Sequence, residues 1–179
     1  MPDHLFVVTG GPGAGKTSLL RALARHGLPH MPEAGRAIIR QQMQTDGTAL
    51  PWDDRAAFAR HMFRHDLHSY RDASAMTGPV LMDRGLPDVL GYLALCGLPL
   101  PADMTRAART HRYNSHVFLA PHWPEIYRRD AERKQDSAEA RATSRIMAET
   151  YTRLGYTPIP LPRADIETRA AFVLRHIGA

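Results

Sequence analysis

One short segment concentrates residue types suited to a single chemistry. Gly10-Gly11-Pro12-Gly13-Ala14-Gly15-Lys16-Thr17 has the spacing G-x-x-x-x-G-K-[ST], in which glycines let successive backbone N–H groups wrap a phosphate at a helix N-terminus. On this reading Gly11, Pro12, Gly13, Ala14, Gly15, Lys16, Thr17 and Ser18 form the nucleotide-binding loop, with the Lys16 ammonium on the β- and γ-phosphates and the Thr17 hydroxyl ligating Mg²⁺. Only Lys16 and Lys134 are lysines among 23 Lys plus Arg, so a lysine inside a glycine cluster is informative. A competing dinucleotide fingerprint, Gly13-x-Gly15-x-x-Ser18 with Glu33 some twenty residues on, lacks its third glycine and leaves Lys16 without a role.

Two acids and several arginines extend the pattern. Asp83 follows the apolar run Val80-Leu81-Met82, where a strand-end carboxylate can hold a water of the Mg²⁺ shell across from Thr17; a helix N-cap is its alternative role. Arg84 follows directly, suited to a transferred phosphate or a substrate carboxylate, or to neutralising Asp83. Glu33 ends a short extended stretch, placed to accept the proton of an acceptor hydroxyl as it attacks the γ-phosphate. Its alternative is the first turn of the next helix, where the helix dipole favours an acid. Arg129 and Arg133 lie four residues apart on one helical face, suited to closing over phosphates. Glu125–Arg129 and Asp130–Lys134 are also i,i+4 pairs that would knit a solvated helix. His61 and His65 have the helical spacing of zinc ligands, with His68 and Asp66 nearby, but no H-E-x-x-H or further ligand cluster accompanies them. Trp52, Phe58, Phe63 and Tyr70 are candidates to frame an acceptor pocket.

The elements that must position these groups alternate. Leu5–Val8 reads as a buried strand, Lys16–His26 as a helix with Gly27 behind it, Leu28–Pro32 as a weak second strand and Ala34–Met43 as a helix. After a loop over 46–53, Asp53 or Asp54 caps a long helix to about Ala75, carrying Phe58, Met62 and Leu67 toward the core. Val80–Met82, Val117–Leu119 and Tyr156–Leu161 read as further strands, helical signal resumes after Pro87 and again between Pro121 and Arg145, and Ile166–His176 closes the chain. Five strands alternating with helices predict an α/β fold whose ligand site lies at the carboxyl ends of a parallel sheet. Glu33, Asp83 and the glycine loop all fall at such ends.

Length and composition bound the rest. At 179 residues, 44% hydrophobic and 23% charged, the chain reads as one globular domain over 1–179, unlike a disordered or fibrous sequence. A lone cysteine, Cys96, excludes an internal disulfide framework. Met1-Pro2-Asp3-His4 enters an apolar run without a basic n-region, and no stretch approaches 18 apolar residues, which predicts a cytoplasmic protein without a membrane span. A net charge of +5 and a pI near 9.8 suit an anionic partner, but no aromatic RNA-binding signature or recognition helix supports nucleic acid.

Taken together, TGGPGAGKTSLL at 9–20, PEAGRAIIR at 32–40, LMDRGLPDVLGYL at 81–93 and VFLAPHWPEIYRRDAERKQD at 117–136 resemble the small single-domain P-loop proteins of an AAA-type ATPase-domain family that includes nicotinamide riboside kinase domains, and more broadly nucleoside and nucleotide kinases. Glu33 and Asp83-Arg84 look like the E and DR elements of deoxynucleoside-kinase-like enzymes, and the 128–133 block looks like a lid. The resemblance implies a three-layer P-loop NTPase fold with a five-stranded parallel sheet in the order 2-3-1-4-5 and an arginine-rich lid. It further implies ATP or GTP with Mg²⁺ as cofactors and phosphoryl transfer; it does not name the acceptor, which is expected to be a small molecule. No guanine-specifying N-K-x-D is present, which favours ATP, and no arginine-finger, sensor or oligomer-interface signature points to a ring-forming machine. A nucleotide-dependent switch or slow NTPase acting on a protein or lipid partner is the alternative activity.

Overall fold

The computed structural model describes residues 3–123 and 137–178. In chain order the elements are β1 (Leu5–Gly10), α1 (Lys16–Arg25), β2 (His30–Met31), α2 (Ala34–Gln44), α3 (Arg55–Ser74), β3 (Val80–Asp83), α4 (Leu86–Leu95), α5 (Ala102–Thr110), β4 (His116–Ala120), α6 (Ser137–Arg153), β5 (Thr157–Pro160) and α7 (Ile166–Ile177). Alternation along β1 sorts its side chains into two cores. Phe6 and Val8 pack with Leu19, Leu20 and Leu23 of α1 and with Ala170 and Val173 of α7. Leu5 and Val7 pack on the other face with Tyr70 of α3 and Tyr151 of α6. Because both faces are covered, every residue of β1 is buried, which is why its sequence is continuously apolar rather than alternating.

All strand pairs are parallel, and the sheet order is β2-β3-β1-β4-β5, as expected for the P-loop NTPase fold. The register sets Val8 opposite Asp83 on one side and Phe118 on the other. The carboxyl ends of β1, β2 and β3 therefore stand side by side, and the segments that leave them carry the glycine loop, Glu33, Asp83 and Arg84. The cap of α3 is Asp54, whose side chain accepts from the Ala57 N–H at 2.9 Å. Sequence reading places no element over 102–110, where the structure has α5. Only Met104 and Ala108 of that helix are buried, and two apolar contacts one turn apart give too weak a periodicity to register. Arg129 and Arg133, expected in the lid, lie outside the described residues.

Candidate functional site

The glycine loop is built by sterics. Gly10 has φ 130°, and a Cβ on it would sit 2.2 Å from the Ala120 carbonyl oxygen, so only glycine lets the end of β1 lie against β4 and then leave the sheet. Gly13 and Gly15 take left-handed turns at φ 72° and 78°, and Gly15 becomes the N-cap of α1 with no side-chain cap on the first-turn N–H groups. Uncapped amides at a helix start are free to bind an anion. Pro12, Gly13, Gly15, Lys16, Thr17 and Ser18 line a cleft of about 710 Å³, with Thr17 and Ser18 exposed to it. Gly11 and Ala14 are buried beneath it.

Lys16 is buried and folds back on the loop, its Nζ donating to the Gly11 carbonyl at 2.8 Å and the Gly10 carbonyl at 3.3 Å. Burial, and then the neighbouring Arg84 charge, lower its ammonium from 10.5 to about 8, against the pull of Glu33, Asp83 and Asp88. Asp83 is buried at the end of β3, and its Oδ1 has no hydrogen-bond partner. Burial and the nearby Glu33 raise its carboxyl to about 6, partly opposed by Lys16 and Arg84. The N-cap of α4 is Gly85, so Asp83 is not spent on capping. A buried carboxylate oxygen left unpaired is costly; that oxygen and the exposed Thr17 hydroxyl are oxygen donors of the type that could hold Mg²⁺.

Arg84 ties the acids together. Its φ of 75° is a left-handed conformation that a non-glycine residue adopts at a cost of about 1 kcal/mol or more, and the side chain makes three bonds from it. Nε donates to Glu33 Oε1 at 3.1 Å, and Nη1 donates to Asp88 Oδ1 at 3.2 Å and to the Gly10 carbonyl at 3.0 Å. Glu33 is the N-cap residue of α2, yet its carboxylate makes no capping bond; it faces Arg84 instead. Burial alone would raise the Glu33 carboxyl, but Arg84 and Lys16 outweigh it and hold it below its ordinary range. Burial would lower the Arg84 guanidinium, and Glu33, Asp88 and Asp83 together hold it well above its ordinary value.

Asp88 escaped the sequence reading although it stands four residues after Arg84 on the same turn. Its Oδ1 accepts from the Thr9 hydroxyl as well as from Arg84, and its Oδ2 accepts from the Gly85 N–H at 2.9 Å and the Tyr151 hydroxyl at 2.7 Å. One buried carboxylate thus joins β1, the β3–α4 turn and α6. Ion pairs of this kind hold geometry through complete satisfaction of their partners.

Beyond Glu33 and Arg84 the cleft carries an apolar, aromatic lining interrupted by Arg36, Arg55 and Asp66. Ile39, Trp52, Phe58, Met62, Val89 and Tyr92 line it, with the Phe58 and Tyr92 rings edge to face at 5.5 Å. Gly35 borders this wall: a Cβ there would be in ordinary van der Waals contact, 3.7 Å from both Glu33 Oε1 and the edge of Phe58. Asp66 also lines the cleft; burial raises its carboxyl to about 6, opposed by His65 at 3.5 Å. Of the four aromatics singled out by type, Trp52 and Phe58 line this cleft and Phe63 and Tyr70 do not. Tyr70 is packed against Tyr113 and His111 with its hydroxyl on the Arg112 carbonyl, and Phe63 packs among the α3–α4–α5 contacts. Among the described residues no cluster of three or more His, Cys, Asp and Glu is placed to hold a metal ion; His68 pairs with Asp72 at 3.4 Å on the surface. No described helix is long and apolar enough to cross a membrane.

Comparison with known proteins places this geometry. No curated protein matches the chain in sequence. Among solved structures the chain is similar to deoxyadenosine kinase from M. mycoides with bound dATP, at 11% identity and a TM-score of 0.71, covering 98% of this chain and all of that one. It is similar to thymidylate kinase from Ehrlichia chaffeensis at 12% identity and 0.64, covering the whole of both. A NadR protein in complex with NR matches at 17% identity and 0.66, over 98% of this chain and 51% of that protein. At these identities the likeness shows a shared fold, that of P-loop nucleoside and nucleotide kinases. A family model described as an AAA domain matches residues 5–169, which takes in the loop, both acids and all five strands: the chain belongs to the AAA domain family.

Proposed function

We propose that the chain, acting as one domain, is a Mg²⁺-ATP-dependent small-molecule kinase that transfers the γ-phosphoryl group to a hydroxyl or phosphate oxygen of an acceptor held in the apolar half of the cleft. The observation that carries this reading is the single cleft in which a phosphate-cradling loop and an aromatic-lined chamber meet at the Glu33–Arg84 pair. A plain NTPase has no need of such a chamber beside its acid.

The loop amides and Lys16 hold the phosphates of the nucleotide. Binding draws Lys16 off the Gly10 and Gly11 carbonyls, where its ammonium exchanges two neutral acceptors for charged ones. Thr17 and Asp83 are the residues that would hold Mg²⁺, which would supply charge neutralisation to the phosphates during transfer. An acceptor hydroxyl gives its proton to the Glu33 carboxylate as its oxygen bonds to the γ-phosphorus and the bond to the ADP oxygen breaks. Arg84 keeps Glu33 ionised at neutral pH, at the expense of basicity. In a loose phosphoryl transition state a weak, well-placed base is sufficient, because the attacking oxygen loses its proton late. Arg84 also lies where charge on the moving group is met by a fixed cation. Asp66, the buried acid of the chamber, suits an N–H or O–H donor of the acceptor, while Arg36 and Arg55, which line the same cleft, suit an anionic group on it.

The test is ADP release from Mg²⁺-ATP over a panel of nucleosides, nucleotides, pyridine ribosides and small sugars, each against water, with Glu33→Gln beside the wild type. Acceptor-dependent ADP that falls by about 10²–10⁴ in E33Q while ATP affinity holds supports the kinase. An unchanged rate in the variant removes Glu33 as base, and turnover indifferent to every acceptor favours a switch or slow NTPase.

A further inference from the structure

The site's least expected support comes from the far end of the chain. Arg169 on α7 is 1% exposed, the bulkiest of the fully buried side chains. Its chain neighbour Ala170 and, one turn on, Val173 belong to the apolar core that also contains Ala14, Leu19 and Leu23. No carboxylate among the described residues pairs with it; its Nη1 donates to the Ala14 carbonyl at 3.0 Å, and its buried Nε has no partner. Burial lowers the guanidinium below its ordinary value, though arginine keeps its proton.

This arrangement is poor as a stabilising device. A buried cation without a counter-ion costs folding free energy, and an apolar residue of similar volume would serve the core as well or better. Its one firm contact falls on the phosphate loop, 155 residues away in sequence. In a trans peptide the carbonyl of one residue and the N–H of the next point in opposite directions. Holding the Ala14 carbonyl toward the core therefore keeps the Gly15 N–H turned the other way, toward the cleft that Gly15 lines. Gly15, with φ 78°, is a residue whose peptide would otherwise rotate with little steric resistance.

We propose that Arg169 is a positioning residue of the phosphate site: it locks the Ala14–Gly15 peptide in its anion-binding orientation and supplies, from behind the loop, a fixed positive charge whose counter-charge is the bound polyphosphate. The inference rests on the reading of the loop as a nucleotide site. It explains why a costly arginine occupies a core position, since a group that destabilises the empty protein and favours the loaded one trades stability for binding.

The experiment uses the full chain and two probes, ADP and inorganic pyrophosphate, titrated calorimetrically into wild type, Arg169→Met and Arg169→Lys, with urea unfolding of each protein without ligand. The expected result is at least a tenfold rise in Kd for both probes in R169M, with a nucleotide-free unfolding midpoint equal to or above that of the wild type and most of the affinity recovered in R169K. A merely structural arginine gives the opposite pattern, a lowered midpoint in R169M, and that result overturns the proposal, as does an R169M Kd within twofold of the wild type. Should R169M fail to fold, Arg169→Gln replaces it, keeping a donor for Ala14 and losing the charge; wild-type affinity in R169Q likewise overturns the proposal, and a tenfold loss supports it. A wild-type chain that binds neither probe removes the nucleotide-site reading itself, and the Arg169 assignment with it.

Discussion

Lys16→Met should make the empty protein more stable while removing its response to nucleotide. The ammonium is held at about 8 instead of 10.5, and at about 1.4 kcal/mol per pH unit this gap costs the folded state roughly 3 kcal/mol at neutral pH. Methionine keeps the stem and removes the charge. It also gives up the bonds to the Gly10 and Gly11 carbonyls, worth about 1 kcal/mol net, and the Gly10 carbonyl keeps its bond from Arg84. A net gain of about 2 kcal/mol follows, or roughly 4–8 °C in Tm for a chain of this size. The pH dependence fixes the cause. Between about 8 and 10.5 the unfolded chain binds the proton that folded Lys16 has lost, so wild-type stability rises with pH relative to K16M. The advantage of the variant is therefore full below pH 8, narrows above it, and gives way to a deficit of about 1 kcal/mol by about 10.5, where only the lost bonds remain. Urea unfolding of both proteins without ligand at pH 7 and pH 9.5, with a repeat in Mg²⁺-ATP at pH 7, measures all three quantities. A K16M protein less stable than the wild type at pH 7, or a gap that does not narrow at pH 9.5, refutes the argument from burial; retained stabilisation by Mg²⁺-ATP removes Lys16 from the phosphate site.

Two further outcomes follow from the same contacts. Gly35→Val should raise KM for the acceptor by about tenfold and leave KM for ATP unchanged, because the added methyl groups enter the chamber beside Glu33 and Phe58; steady-state kinetics with each substrate varied in turn checks this, and equal effects on both KM values would place the acceptor elsewhere. Tyr151→Phe removes one of the donors on buried Asp88 and should lower stability by about 1–3 kcal/mol, read as a shift in the urea midpoint at constant slope.

Much of this protein is legible in its sequence, and the reasons are local. Glycines at 10, 13 and 15 are needed because the backbone itself must approach β4 or turn left-handed, so the loop is written in residue type and spacing. The three-residue apolar run of β3, Val80–Met82, and the apolar run of β1 announce buried parallel strands because both of their faces are covered. Asp83 at the end of one strand and Glu33 at the end of another follow from those assignments. What the sequence does not hold is anything that depends on which elements meet. That Glu33 faces Arg84 rather than its own helix, and that Asp88 gathers Thr9, Arg84 and Tyr151, come from the order of the sheet and the packing of α4 on α6. Tyr70, a plausible pocket aromatic by type, is core because α3 turns that face to the sheet. Arg169 is the extreme instance: one arginine among many in a closing amphipathic helix, it gains its meaning only because α7 packs against α1 and sets a guanidinium under the phosphate loop. Short-range sterics and periodicity are properties of a segment, whereas the partner of a buried charge is a property of the whole fold.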